Sequence, residues 1–135
     1  MLVLRTDRTS GAAVAAGRRT QVRGADDVRR LTAADLGGEP GERATLVQFS
    51  SAFCAPCRAT RRTLAEVARM VPGVAHVEID AEARLELVRE LGILKTPTVL
   101  VLDAGGAVVR RAQGQPRRAD VIAALGEAVR GRHDG

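Results

Sequence analysis

The sequence predicts an α/β fold, a mixed central sheet of about four to five strands with helices on both faces. Three observations carry this expectation. The chain has 135 residues, 45% of them apolar and 27% charged, which is the balance of one globular domain long enough to bury a core without disulfide staples. From residue 45 onward, short apolar runs alternate with longer stretches of helical periodicity. Clusters of Gly and Pro separate these stretches.

Residues 1–23 read as an N-terminal extension without a clear pattern, with short strands at Leu2–Leu4 or Thr20–Arg23 as candidates. The domain is expected over residues 24–130. Its first element is a helix over Asp26–Leu36 with Val28, Leu31 and Leu36 inward, and Gly37-Gly38-Glu39-Pro40-Gly41 breaks it. Thr45–Phe49 is a buried strand. A loop, Ser50–Phe53, leads to Cys54-Ala55-Pro56-Cys57. A helix follows to about Met70, with Leu64, Val67, Ala68 and Val71 spaced as one face, and Pro72-Gly73 stops it.

Val74–Asp80 alternates. Ala75, Val77 and Ile79 point one way and His76, Glu78 and Asp80 the other, as in a strand. Ala81–Leu91 reads as a helix with Leu85, Val88 and Leu91 as its stripe and Gly92 as its cap. Thr98–Leu102 is the strongest strand. Asp103–Gly106 turns the chain into a returning strand that begins at Ala107. Gly114 and Pro116 open a last helix, with Val121, Leu125, Ala128 and Val129 inward, and residues 131–135 form a polar, frayed tail. The crossover from strand to helix to strand gives a parallel pair, and the hairpin adds an antiparallel strand.

Composition narrows function. The formal charge is +5, and of 21 basic residues all but Lys95 are arginine. These arginines are scattered along the chain, and the sequence lacks Tyr and Trp for base stacking. Nucleic acid is therefore not an expected partner. No apolar run reaches the ~20 residues of a membrane span. The N-terminus lacks the apolar centre of a secretory signal, so a cytoplasmic location is expected.

The Cys-x-x-Cys pair carries the chemistry. Cysteines three apart in the first turn of a helix share a face and come within reach of bonding. Pro56 suits that turn, because its fixed φ matches the helix and its missing N–H has no partner to lose there. Unpaired N–H groups and the positive helix end stabilise a thiolate. Thiols so placed have pKa values of about 3.5–7.5. Arg58 adds positive charge beside the pair. Cys54, at the mouth of the helix, is the expected attacking thiolate, and Cys57, one turn inside, the resolving thiol. Three readings of the pair are open: a redox couple, a zinc site, or two structural cysteines. Zinc needs four ligands, and the two histidines, His76 and His133, have no ligand spacing, so no metal is expected. A βαβ pattern around the pair favours the redox couple.

Residues 45–129 resemble the thioredoxin family. The resemblance is carried by Thr45-Leu-Val-Gln-Phe-Ser-Ser-Ala-Phe-Cys-Ala-Pro-Cys-Arg58, by Gly92-Ile-Leu-Lys-Thr-Pro-Thr98, by Glu78-Ile79-Asp80 and by Gly114. It implies a thioredoxin-like fold and a thiol–disulfide oxidoreductase acting on protein disulfides. It also implies a cis bond between Thr96 and Pro97 facing the cysteines. X-Pro is the bond at which cis is accessible, and Thr96 would then offer its backbone to an extended substrate. Phe53, Ala55, Pro56, Thr96 and Pro97 are the implied substrate-binding residues, with Gln48, Arg58 and His76 in support.

Departures from the family are informative. Phe53 stands where the family has Trp, Ala55 where it commonly has Gly, and Gln48 where it has a buried Asp. His76 falls about where a Lys pairs with that Asp. Gln48 cannot titrate, so it cannot serve as general base, and resolution slower than in a general-purpose thioredoxin is expected. The implied cofactor set is empty apart from the redox-active Cys54–Cys57 disulfide. The implied partners are protein disulfides and an electron donor of the thioredoxin-reductase flavoenzyme type, with the chain a monomer. A binding or assembly module that holds a partner at the Thr96-Pro97 edge is the alternative.

Overall fold

The computed structural model describes residues 29–134. In chain order the elements are α1 (Ala33–Leu36), β1 (Ala44–Ser50), α2 (Ala55–Met70), β2 (Val74–Asp80), a 3-10 turn (Ala81–Ala83), α3 (Leu85–Leu91), β3 (Thr98–Asp103), β4 (Val108–Gln113) and α4 (Arg118–Asp134). The four strands form one sheet in the order β2-β1-β3-β4. β2 runs parallel to β1, while β3 is antiparallel to β1 and β4 antiparallel to β3.

β1 is central and buried at every position. Successive side chains of a strand point to opposite faces, so its apolar run serves two cores. Leu46 packs with Leu64 and Val67 of α2 and with Val121 and Leu125 of α4. Val47 and Phe49 face the other way, onto Leu31, Leu36, Leu87, Leu100 and Leu102. Helices thus cover both faces. Among the described residues Phe49 is the largest fully buried side chain, and the others are aliphatic apart from Gln48, Thr45, Thr60 and Thr98.

Three expectations are corrected at element ends. The helix expected over Asp26–Leu36 is a single turn, Ala33–Leu36, and the part before Arg29 lies outside the described residues. Thr32 caps the turn: its side chain accepts from the Asp35 N–H, and the Asp35 carboxylate accepts from the Thr32 N–H. Before that cap the chain is extended. Arg30 bridges Ala107, and the Leu31 N–H donates to the Gly106 carbonyl at 2.9 Å. Leu31 and Leu36 are buried as expected, but from two different conformations.

The helix expected over Ala81–Leu91 is interrupted at Arg84. The Asp80 side chain accepts from the Glu82 N–H and winds residues 81–83 into a tighter turn. That turn shifts the register, so Leu87 is buried while Leu85 is exposed. Gly92 closes α3 in the left-handed conformation, as its C-cap role requires. The tail expected from residue 131 continues α4 as far as Asp134. The expected extension over residues 1–23 lies outside the described residues.

Gly106 ties the Arg30–Leu31 segment to the β3–β4 hairpin. Its φ is +89°, and a Cβ there would sit 2.4 Å from the Leu31 carbonyl oxygen. Gly38 has neither constraint, with nothing within 4 Å of a Cβ. Gly106→Ala is therefore expected to cost at least about 1 kcal/mol from the positive φ alone. Gly38→Ala should stay within about 0.5 kcal/mol of the parent. Urea midpoints of the two variants check the contrast.

Candidate active site

β1 hands the chain to α2 through residues 51–54, and the sulfur pair sits at the handover. Cys54 is the N-cap of α2, with extended backbone (φ −113°, ψ 100°). Its sulfur accepts from the Cys57 N–H at 3.2 Å, and its carbonyl oxygen accepts from the N–H groups of Cys57 (3.1 Å) and Arg58 (3.3 Å). Pro56 lies in the first turn and adds no donor. The Cα atoms of Cys54 and Cys57 are 5.2 Å apart and the sulfurs are bonded. Cys57 is buried (1% exposed), whereas Cys54 is partly exposed. In the reduced state the amide donors and the helix end favour negative charge on the outer sulfur.

A second loop lies beside the first. The Ser51 and Thr96 hydroxyls are hydrogen-bonded at 2.7 Å, and the Thr96–Pro97 peptide is cis. Pro97 is buried, and its carbonyl oxygen accepts from the Gly114 N–H at 2.8 Å. Phe53 has a left-handed backbone (φ 58°) and is fully exposed, and Leu94 is exposed as well. Ala55, Pro56 and Arg58 are also exposed. Phe53, Ala55 and Pro56 therefore form an exposed apolar rim around the pair, and exposed Leu94 lies two residues before Thr96 on the second loop. Leu94 had no role in the sequence reading, where it was only part of the motif before Thr96.

Beneath α2 the supporting residues are arranged differently from the Gln48–His76 pairing that the family pattern suggests. Gln48 is completely buried, and its Nε2 donates to the Cys57 carbonyl (2.8 Å) and to Ser50 Oγ (2.9 Å). Ser50 Oγ donates to Glu78 Oε2 at 2.7 Å, and Glu78 is held by Arg61 through two bonds of 2.7 Å. His76 is opposite Leu46 in the register, and its buried Nε2 has no partner among the described residues. Ser50, Glu78 and Arg61 are the residues sequence reasoning missed as a group. The alternation of β2 put Glu78 on the same face as His76. Only the pairing of Gln48 with Glu78 across the strands shows that it reaches the site.

The charges of this group are physically consistent. The Arg61 hydrogen bond, helped by Ser50, holds the Glu78 carboxyl below its usual range, and Glu78 in turn raises Arg61. Burial pushes His76 below its ordinary value of 6.5. Among the described residues, no helix is long and apolar enough to cross a membrane.

A four-stranded mixed sheet flanked by helices, with a disulfide at the junction of β1 and α2, defines a thioredoxin-like fold with a disulfide-capable cysteine pair. The thioredoxin family model matches residues 39–127, and the chain belongs to that family. It is 29% identical to thioredoxin of Mycolicibacterium smegmatis over 87 residues, 62% of this chain and 77% of that protein. It is 38% identical to thioredoxin domain-containing protein 2 of Homo sapiens over 60 residues, 44% of this chain and only 11% of the human protein. Among solved structures, the N21Q mutant thioredoxin from Halobacterium salinarum NRC-1 superposes with a TM-score of 0.59 at 18% identity, covering 65% of this chain and 76% of that one. That likeness concerns the fold.

Two titrations make stability depend on pH with the same sign. The folded value of His76 is depressed, so below 6.5 the unfolded chain takes up a proton that the folded chain refuses. Glu78 is also depressed, so its contribution is present above its ordinary 4.5 and is lost as pH falls through the folded value. Denaturation midpoints should therefore fall as pH drops below about 6.5, and fall further below about 4.5. His76→Gln should flatten the part of that curve just below 6.5 and leave the acidic limb in place.

Proposed function

We propose that the chain exchanges electrons with protein disulfides, Cys54 attacking and Cys57 resolving. The observation that carries this reading is the asymmetry of the pair: one sulfur partly exposed at a helix N-cap, the other buried one turn inside. The Cys54 thiolate attacks one sulfur of a substrate disulfide, the substrate S–S bond breaks, and the leaving thiolate takes a proton. Cys57 then gives up its proton and attacks Cys54, releasing the second substrate thiol and leaving the Cys54–Cys57 disulfide. A dithiol or flavoenzyme electron donor returns the pair to the reduced state.

The rim of Phe53, Ala55 and Pro56, with Leu94 on the second loop, offers apolar contact to a substrate segment, and Thr96 offers the backbone edge that such a segment would pair with. Arg58 adds positive charge beside the attacking sulfur. Gln48, an amide where a base would be useful, supports slow resolution. It also favours the second reading, a binding module of low turnover that holds its partner at the same edge. The chain is proposed to work as a cytoplasmic monomer.

Insulin reduction under dithiothreitol checks the first reading. The parent should accelerate precipitation, and Cys54→Ser should fall to the rate without protein. Cys57→Ser should accumulate a mixed disulfide with substrate. Equal inertness of parent and Cys54→Ser, with partners retained by a Cys54/Cys57 double variant, would establish the binding module instead.

A further inference from the structure

The hydrogen-bond chain under α2 has one direction and one loose end. Gln48 Nε2 has two hydrogens and spends both, on the Cys57 carbonyl and on Ser50. Ser50 therefore has its single hydrogen left for Glu78, which is an acceptor because it is ionised against Arg61. The amide cannot be turned over, since that would set its oxygen against the Cys57 carbonyl oxygen, acceptor against acceptor. Its oxygen is thus forced into the remaining position. There Gln48 Oε1 is buried and has no partner among the described residues.

A buried carbonyl without a donor is costly, and proteins rarely leave one so. In the disulfide state the Cys57 sulfur carries no hydrogen to give. Two-electron reduction by a dithiol breaks the S–S bond, releases the donor as its own disulfide, and leaves Cys57 as a thiol. The reaction itself then creates a donor on the residue whose carbonyl Gln48 already holds. We propose that Glu78, through Ser50, is a positioning residue that fixes the Gln48 amide so that Oε1 accepts the Cys57 S–H in the dithiol state. The ion pair on the outside of β2 is in this way coupled to the resolving sulfur. The inference rests on the pair cycling between disulfide and dithiol.

Two consequences separate this role from plain packing. The hydrogen bond exists only in the reduced state, so it draws the exchange equilibrium toward the dithiol. Gln48→Leu removes it and also removes the orphaned oxygen of the oxidised state, and both changes favour the disulfide. The equilibrium against glutathione should move roughly three- to ten-fold toward the disulfide, the scale of one modest hydrogen bond. The S–H stretching band, in turn, is lowered by hydrogen bonding.

The test uses Cys54→Ala as background, which leaves Cys57 as the single thiol of the chain. Its infrared S–H band is expected at the lowered position of a bonded thiol. Adding Gln48→Leu should raise it to the position of a free thiol, and adding Glu78→Ala should broaden it and move it part of the way. A band that Gln48→Leu leaves in place overturns the proposal, and a band that only Glu78→Ala leaves in place overturns the part assigned to Glu78. Should Gln48→Leu fail to fold, the side-chain carbonyl carbon of Gln48 is followed by NMR in the parent. It should shift between oxidised and reduced protein. An unchanged signal means that Thr60, whose buried hydroxyl is also unpartnered one turn along α2, or a water satisfies Oε1 in both states, and the proposal falls. Neither measurement needs turnover, so a chain inert toward insulin can still pass or fail them.

Discussion

The fixed register of β1 is the constraint on which the rest depends. All seven of its residues are buried, with Leu46 committed to one core and Val47 and Phe49 to the other. Slipping by one position would exchange the two faces and place Gln48 among Leu36, Leu100 and Leu102. Because β1 cannot slide, its last residue, Ser50, ends at a set height, and the loop after it delivers Cys54 to the N-cap of α2. The sulfur geometry is therefore a product of core packing on both sides of one strand, not of the Cys-x-x-Cys spacing alone.

The polar residues within this apolar frame follow the same logic. A buried amide is tolerable when its hydrogens are spent, and Gln48 spends both. One of them reaches across from the strand to the first turn of α2, so the amide also fastens the cysteine-bearing turn to the sheet. A buried carboxylate at this position would need a cationic partner, and His76, held neutral by burial, is a poor one. The amide at residue 48 and the neutral imidazole at residue 76 are thus compatible, although they do not bond to each other. The negative charge of the region has moved outward to Glu78, where Arg61 meets it near solvent.

The exposed rim is the complement of that interior. Phe53 keeps a left-handed backbone and a fully exposed ring. Such a residue costs stability and gives none of the usual return of burial. Leu94 on the neighbouring loop shares its exposure. The Ser51–Thr96 and Gly114–Pro97 hydrogen bonds hold three loops against one another, so this apolar surface is borne by an ordered frame.

How much was legible follows from the range of each interaction. Periodicity and turn residues are local, and they placed β1, α2, β2 and the hairpin close to their observed limits. The Cys54–Cys57 pair and the motif around Thr96-Pro97 were equally plain, being contiguous in the chain. Local patterns misled where a side chain diverted the backbone. Thr32 and Asp35 shortened α1 to one turn, and Asp80 broke the helix expected from residue 81. The antiparallel placing of β3 beside β1, the facing of Gln48 and Glu78, and the burial of Leu87 in place of Leu85 depend on residues far apart in sequence. The amino-acid sequence by itself determined the alternation of elements and the identity of the bonded sulfurs, because both are written in neighbouring residues. Only the tertiary structure decided which polar groups meet beneath those sulfurs, because strand register is set by the packing of two cores at once.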